Sequence, residues 1–313
     1  MSCEDQAEPT VDVTVVIPAF NAAKFVHRAI DSALSQESVA LEVVVVDDAS
    51  SDDTAAAVRA RYLDVENVKV HRLDRNGGPS AARNAGFQRA RGKWIAVLDA
   101  DDAFAPGRLR RLVDAGERLG ADAIADNVRV YDAVEGRLRE PRLRQKDAER
   151  VLDLYTFMAG ARPGTGELDF GLLKPMFLRS FLERHGLRYA EDVRHGEDFL
   201  LYFEALLSGA RFVTLAEAGY HWTLRNSGQS RTVVDYPSQM RDVQRLQERP
   251  DVRQDARLMS LLDDRSRALA RRNTEYAFGD AVRRRRYDRA LFLCLYHPTL
   301  FRRAGAAVLK RFR

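Results

Sequence analysis

The sequence predicts an α/β protein built on a mainly parallel sheet, and three observations carry that reading. Short apolar or β-branched runs alternate with helical patterns from Val13 to Leu119. The spacing suits right-handed βαβ crossovers. Two of the runs stop abruptly at carboxylates, Asp47/Asp48 and Asp99/Asp101/Asp102. Ligands of open α/β sheets sit outside the carboxyl ends of the strands, so these acids mark one candidate crevice.

Val13 to Ile17 reads as the first strand, ended by Pro18, which has no N–H to give a ladder. Phe25, Val26, Ala29, Ile30, Ala33 and Leu34 then trace one face of a helix starting near Ala23. Leu41 to Val46 is a second buried strand. Ser50, Ser51, Asp52 and Asp53 offer N-caps for a helix from Thr54 to about Tyr62. Val68 to Leu73 alternates as a third strand. Asn76-Gly77-Gly78-Pro79 is a tight loop before a helix from Ser80 to Arg91. Its free N–H groups and dipole suit an anion. Trp94 to Leu98 is buried on both faces, and Pro106 to Leu119 is the helix after it. Ala121 to Tyr131 alternates as a further strand. Glu135 to Arg150 shows no core period and reads as a loop, Gly160 to Gly166 as a flexible lid, and Lys174 as the start of a helix running to about His185.

The chain has 313 residues, 45% apolar and 31% charged, enough for one large domain with an appendage or for two domains. Met1 to Thr10 lacks the apolar segment of a signal peptide and is expected to be disordered, and no run approaches a membrane span. Cys3 and Cys294 lie at opposite ends, which fits a reducing compartment and a cytoplasmic protein. A net charge of +4 hides an asymmetry: Arg271 to Arg313 holds 12 Lys/Arg against 3 Asp/Glu. A basic tail on an acidic body points to an anionic surface. No G-x-G-x-x-G or G-x-x-x-x-G-K-[ST] occurs, which argues against a dinucleotide-binding dehydrogenase and a P-loop NTPase. No reading motif accompanies the basic charge, which argues against nucleic acid.

Hard oxygen ligands spaced like Asp99, Asp101 and Asp102 suit Mg²⁺ or Mn²⁺ completed by phosphate oxygens; the other reading is a solvated acidic turn capping the next helix. Phe20 offers a flat apolar face for stacking, and a carboxylate at Asp48 can accept the N3–H of uracil or cap a helix.

Val15 to Asn21, Val45 to Ser50, Asn76 to Asn84 and Leu98 to Asp102 together resemble the nucleotide-sugar half of a family 2 glycosyltransferase. Gly196-Glu197-Asp198, Tyr220-His221-Trp222 and Arg225 resemble that family's acceptor half, and the likeness runs from about 11 to 232. The resemblance implies the GT-A fold, a Rossmann-like sheet flanked by helices, in residues 11–235, divided at 131/132; past Tyr236 the likeness fades, and 236–313 reads from its apolar spacing and its run Arg283 to Arg286 as a basic helical C-terminal region. It implies that Pro18, Phe20 and Asp48 hold the nucleobase, favouring a uridine diphosphate donor, with Asn21 also among the nucleotide-sugar-binding residues. Arg83 contacts the donor, or else is a surface arginine. Asp99 opens the D-x-D motif, and Asp101 and Asp102 align with the metal-proximal and ribose-proximal positions, with Mn²⁺ or Mg²⁺ bridging the diphosphate.

Inverting transfer needs one base to take the acceptor's hydroxyl proton. By resemblance that base is Asp198, with Glu197 beside it; the plainer reading is two acids serving a helix N-terminus. Arg225 grips phosphate, and His221 completes the metal shell in some relatives or is structural. The expected partners are a nucleoside diphosphate sugar and a saccharide or lipid-linked acceptor. Leu300 to Arg303 and Val308 to Arg313 mix apolar and basic residues, as a peripheral contact with an anionic membrane would, or a helical appendage with a solvated basic face. A nucleotidyltransferase is disfavoured because Pro18-Ala19-Phe20-Asn21 stands where its Gly-rich loop belongs. A catalytically silent nucleotide-sugar sensor or scaffold is the rival from another class.

Overall fold

Valine-rich stretches and small-residue helices assemble into one ten-stranded mixed sheet among the described residues. The computed structural model describes residues 11–164, 168–224, 235–297 and 300. It divides into two compact units, Met1–Ala161 with Gly166–Thr232, and Arg162–Thr165 with Val233–Arg313.

In the first unit the order is β1 (Val13–Ala19), α1 (Val26–Leu34), β2 (Leu41–Asp47), α2 (Thr54–Arg61), β3 (Val68–Arg72), α3 (Gly78–Phe87) and β4 (Trp94–Val97). Then come β5 (Ala103–Phe104), α4 (Arg108–Leu119), β6 (Ala123–Asp132), β7 (Arg137–Pro141), β8 (Glu149–Leu152) and α5 (Leu154–Gly160). The last elements are β9 (Met176–Leu178), α6 (Arg179–Arg184), α7 (Glu197–Leu207) and β10 (Phe212–Leu224). The sheet order is β3-β2-β1-β4-β9-β6-β10-β5, with β7 added to β6 and β8 to β10.

Strands β3, β2, β1 and β4 form a parallel block. Val13, Val15, Val16 and Ile17 of β1 and Val43 to Val46 of β2 are buried, as parallel strands covered by helices must be. Because β2 and β4 both pair with β1, their carboxyl ends, and the acids there, flank one edge of the sheet. Gly86 lets α3 lie directly on β1: a Cβ there would come within 2.2 Å of Val16 Cγ1.

Three local expectations fail for identifiable reasons. Pro18 does not end β1, which continues to Ala19 with Pro18 opposite Val46. Alternate residues of a parallel strand address alternate neighbours. Pro18 addresses the β4 side, where pairing has already stopped after Val16↔Val97, so no donor is missed. Met176 and Phe177 belong to β9, not to a helix; three apolar residues fill the gap between β4 and β6, antiparallel to both. Residues 135–150 contain β7 and the start of β8, exposed additions to the sheet that carry no core period. Since β6 pairs with β10, the two expected halves of the domain share one sheet.

The second unit is helical: α8 (Tyr236–Glu248), α9 (Pro250–Arg253), α10 (Ala256–Arg283) and α11 (Tyr287–Tyr296). Phe278 and Ala281 of α10 pack with Ala290 and Cys294 of α11 and with Leu300. No described helix is long and apolar enough to cross a membrane.

Candidate active site

Two acid clusters sit at the edge that β1 separates. In the first, Asp47 closes its own turn by accepting from Ser50 N–H and pairs with Arg72 at 3.2 Å. The Asp48 carboxylate accepts the backbone N–H of Gly77 at 2.7 Å and of Gly78 at 2.8 Å. The anion at the N-terminus of α3 is therefore the protein's own, so the cap reading of Asp48 is realised across the chain rather than on the following helix. Burial raises the Asp48 carboxyl above its ordinary range, and the two N–H bonds only partly offset that. Beside it Phe20 is exposed and Pro18 half-buried. The Asn21 side-chain carbonyl accepts from Ser51 N–H at 2.9 Å, and φ of +49° puts Asn21 in the left-handed region, so Asn21 shapes the turn.

The second cluster is knitted to distant chain. Arg83, on α3, is buried and not a surface residue: it donates to Asp99 Oδ1 at 2.9 Å and to Glu197 Oε1 at 2.8 Å, and stands 3.7 Å from Asp198 Oδ1. The guanidinium lies over the Tyr189 ring. Asn84 holds that segment through Tyr189 N–H and C=O and through Glu191. Lys174 Nζ reaches Asp99 Oδ2 at 2.9 Å and Asp198 Oδ2 at 3.0 Å. Burial opposes the charge of Asp99, but Lys174 and then Arg83 hold its carboxyl well below the usual range. Burial likewise opposes the Lys174 charge, and Asp198 and Asp99 override it and raise its pKa. Gly196, at φ +93°, turns the chain into α7 and sets Glu197 and Asp198 in its first turn. Asp198 Oδ1 is buried and accepts no hydrogen bond.

Asp102 is occupied differently from the ion-holding role expected of it. It is buried, accepts from Tyr220 O–H and Thr223 N–H, both at 2.8 Å, and so ties the D-x-D turn to β10. Burial, then the charges of Asp99 and Asp101, push its carboxyl well up. Arg28 donates to the Asp101 carbonyl at 2.6 Å and to Thr223 Oγ1. His221 pairs across from Arg129; burial and then Arg129, Arg28 and Arg108 lower its pKa. Among the described residues no group of three or more His, Cys, Asp or Glu, Asp101, Asp102 and His221 included, could hold a metal ion. What fits the chemistry of a hard divalent cation is a carboxylate of the D-x-D turn completed by phosphate oxygens.

The chain matches the family described as "Glycosyl transferase family 2" over residues 14–186. It is also 43% identical over 224 residues to succinoglycan biosynthesis protein ExoO of Rhizobium meliloti, covering 71% of this chain and 63% of that one. The chain belongs to glycosyl transferase family 2. A second relative, succinoglycan biosynthesis protein ExoU of Rhizobium meliloti, is 42% identical over 233 residues, covering 72% and 67% of the two chains. The alignments thus span about two thirds of each relative's length. The crystal structure of S. aureus TarS 1-349 in complex with UDP-GlcNAc shares the fold at a TM-score of 0.65 and 22% identity, over 81% of this chain and 72% of that one.

Of the residues expected to form the family 2 site, Arg83, Asp99, Glu197 and Asp198 form one ion-pair group, whereas Pro18, Phe20 and Asn21 lie at and just after the end of β1, where Asn21 bonds the turn that follows Asp48. Arg225 lies outside the described residues, as does part of the 160–166 segment. Lys174 was missed. Its signal was a lone cation in the apolar run Phe170 to Phe177, next to a proline. Continuing the β9–β4 register back from Met176↔Ala96 brings Lys174 to the end of β4.

Proposed function

We propose that this family 2 protein is an inverting glycosyltransferase. It moves a sugar from a uridine diphosphate donor to a hydroxyl acceptor in polysaccharide assembly. The observation that carries the reading is Asp198 Oδ1, a buried carboxylate oxygen without a hydrogen-bond partner, set among Arg83, Lys174 and Asp99 at the strand ends. Such an atom suits a general base. TarS in complex with UDP-GlcNAc supports the uridine donor, and the two succinoglycan relatives support the polysaccharide setting.

In this reading residues 11–235 are the catalytic part and 236–313 an appendage. Phe20 and Pro18 receive the base, while Asp48 orders the loop that borders it and offers its remaining lone pairs to the base. Asp101 would hold a divalent cation, which would stabilise charge on the leaving diphosphate. Arg83 and Asp99 border the donor, and Glu197 and Arg225 serve the acceptor and diphosphate. The acceptor oxygen attacks the anomeric carbon as its proton passes to Asp198, and the sugar–phosphate bond breaks with its electron pair leaving on the diphosphate.

The appendage meets an anionic membrane surface. Tyr287, Leu291, Phe292 and Leu295 on α11 are each more than half exposed, and Arg285, Arg286 and Arg289 lie in or beside the same helix. An apolar face bordered by basic residues is the pattern of an interfacial helix.

The test is UDP release from a panel of uridine diphosphate sugars with Mn²⁺, together with calorimetric binding of UDP by the parent and by Asp101→Ala. Metal-dependent binding lost in the variant, with a donor consumed and product configuration inverted, is expected. UDP binding without turnover of any donor, with Asp198→Asn indistinguishable from the parent, would return the protein to a silent sensor. Failure to sediment with anionic liposomes at physiological salt would remove the membrane contact.

A further inference from the structure

The Lys174 ammonium is shared almost equally by two carboxylates that lie 99 positions apart in the chain, at 2.9 Å from Asp99 Oδ2 and 3.0 Å from Asp198 Oδ2. Its side chain is only 11% exposed. The backbone that presents it is clamped on both sides. Tyr202 O–H donates to the Leu173 carbonyl at 2.6 Å, and Arg108, itself paired with Asp126, donates to the Lys174 carbonyl at 2.8 Å. Two residues further on, at Met176, the chain enters β9 between β4 and β6. This is a built position, not a surface lysine that happens to find an acid.

We propose that Lys174 is a positioning residue for glycosyl transfer, holding Asp198 by Oδ2 so that Oδ1 is the atom that receives the acceptor's proton. The proposal rests on the reading of Asp198 as the base. The groups around Asp198 are Arg83 from α3, Lys174 from the segment before β9, Asp99 from the end of β4, Glu197 from its own helix, and the phenols of Tyr189 and Tyr202. Of these, Lys174 donates a hydrogen bond to Asp198, whereas Arg83 stands further off at 3.7 Å from Oδ1. With Oδ2 engaged, Oδ1 keeps its lone pairs for an incoming hydroxyl.

Sharing the ammonium with Asp99 has a consequence during turnover. When the acceptor's proton reaches Asp198, that carboxyl loses its charge. Lys174 remains paired with Asp99, so no buried cation is left without an anion. A compact ammonium with three donors can serve two carboxylates in this way.

Two arms test the role on the full chain. In the kinetic arm, Lys174→Met is expected to lower kcat for UDP release about 100-fold, with the Kd for UDP changed by no more than about threefold. Lys174→Arg is expected to recover at least about tenfold of that loss. An unchanged kcat, or a UDP Kd that rises in step with the lost activity, would overturn the proposal, because Lys174 would then act on donor binding through Asp99. In the second arm, urea midpoints are measured for the parent, Lys174→Met, Asp198→Asn and the double variant, with no substrate present. Removing Asp198 is expected to raise the midpoint of Lys174→Met, because a carboxylate left without its cation is relieved. Additive midpoints would show that no bridge exists and overturn the proposal. Should Lys174→Met not fold, Lys174→Gln takes its place in both arms. If the parent releases UDP from no donor, the transferase reading falls and the role falls with it, while the urea arm still reports the bridge.

Discussion

The acid clusters after β2 and β4 look alike in the sequence and differ in what reaches them. Each contains one carboxylate that pairs with a cation and one that serves as a tether. Asp48 is anchored by the backbone of Gly77 and Gly78, and Asp102 by Tyr220 and Thr223. The difference lies in the cations. Arg72, which pairs with Asp47, is half exposed and its other bond is to the Ser50 carbonyl, within the same turn. Arg83 and Lys174, which pair with Asp99, are nearly buried and also reach Glu197 and Asp198 on α7. The first cluster closes on itself and can shape a base pocket. The second couples the strand end to a further carboxylate and can run a reaction.

The largest effect should come from that further carboxylate. Asp198→Asn is expected to reduce glycosyl transfer by about 10²–10⁴-fold while UDP affinity stays within about threefold of the parent. Steady-state kinetics beside calorimetry separate the two. A proportionate loss of UDP binding would mean that α7 belongs to the donor site, and the contrast between the clusters would fail.

Next comes a pair of arginines. Arg83→Met removes a buried cation from three carboxylates and should cost about 3–5 kcal/mol of stability in urea unfolding. Arg72→Met breaks a pair with one half-exposed partner and should cost about 1 kcal/mol or less. Equal costs would erase the distinction between a closed cluster and a connected one.

Asp48→Asn sharpens the tether. An amide can accept from Gly77 or Gly78 but not both, so one N–H loses its acceptor, at about 1–3 kcal/mol. The folded pKa of Asp48 is raised by burial. A raised carboxyl contributes most below its unfolded value, near 4, and that contribution declines as pH rises through the folded value. The parent's advantage over Asp48→Asn should therefore be largest near pH 4 and shrink toward pH 7 in paired unfolding measurements. An advantage that grows with pH would place Asp48 with the carboxylates held low, beside Asp99.

Much of this architecture was legible because it is local. The valine runs of β1 and β2, the apolar run of β4, the acids that end them and the Gly196-Glu197-Asp198 turn all declare themselves within a few residues. Pairing did not declare itself. Lys174 comes to Asp99 only through the register of a three-residue strand, and Met176–Leu178 is too short for any period to separate strand from helix. Asp102 reads as a metal ligand until Tyr220 and Thr223 arrive from β10, and only the arrival of Gly77 and Gly78 from the far side of β3 shows which backbone the Asp48 carboxylate caps. A carboxylate's neighbours in the chain identify it as a candidate. Its partners across the sheet decide its use.

The smallest effects concern the turns that aim the acids. The second cluster depends on Gly196, whose φ of +93° is a conformation that L side chains rarely adopt. The first is followed by Ala49 at φ +54°, a non-glycine residue in the left-handed region. Gly196→Ala should cost about 1–2 kcal/mol and, because it tilts the first turn of α7, should lower kcat more than it raises the donor KM. The reverse exchange, Ala49→Gly, relieves a similar strain of about 1–2 kcal/mol but frees the unfolded chain by about 0.4–1 kcal/mol, leaving a net gain of at most about 1.6 kcal/mol. Its effect on kcat should be absent, since Ala49 follows the closed cluster. Paired thermal unfolding and kinetics of the two variants would measure the asymmetry. A kcat change in Ala49→Gly matching that in Gly196→Ala would show that the two clusters move together and that β1 does not insulate one from the other.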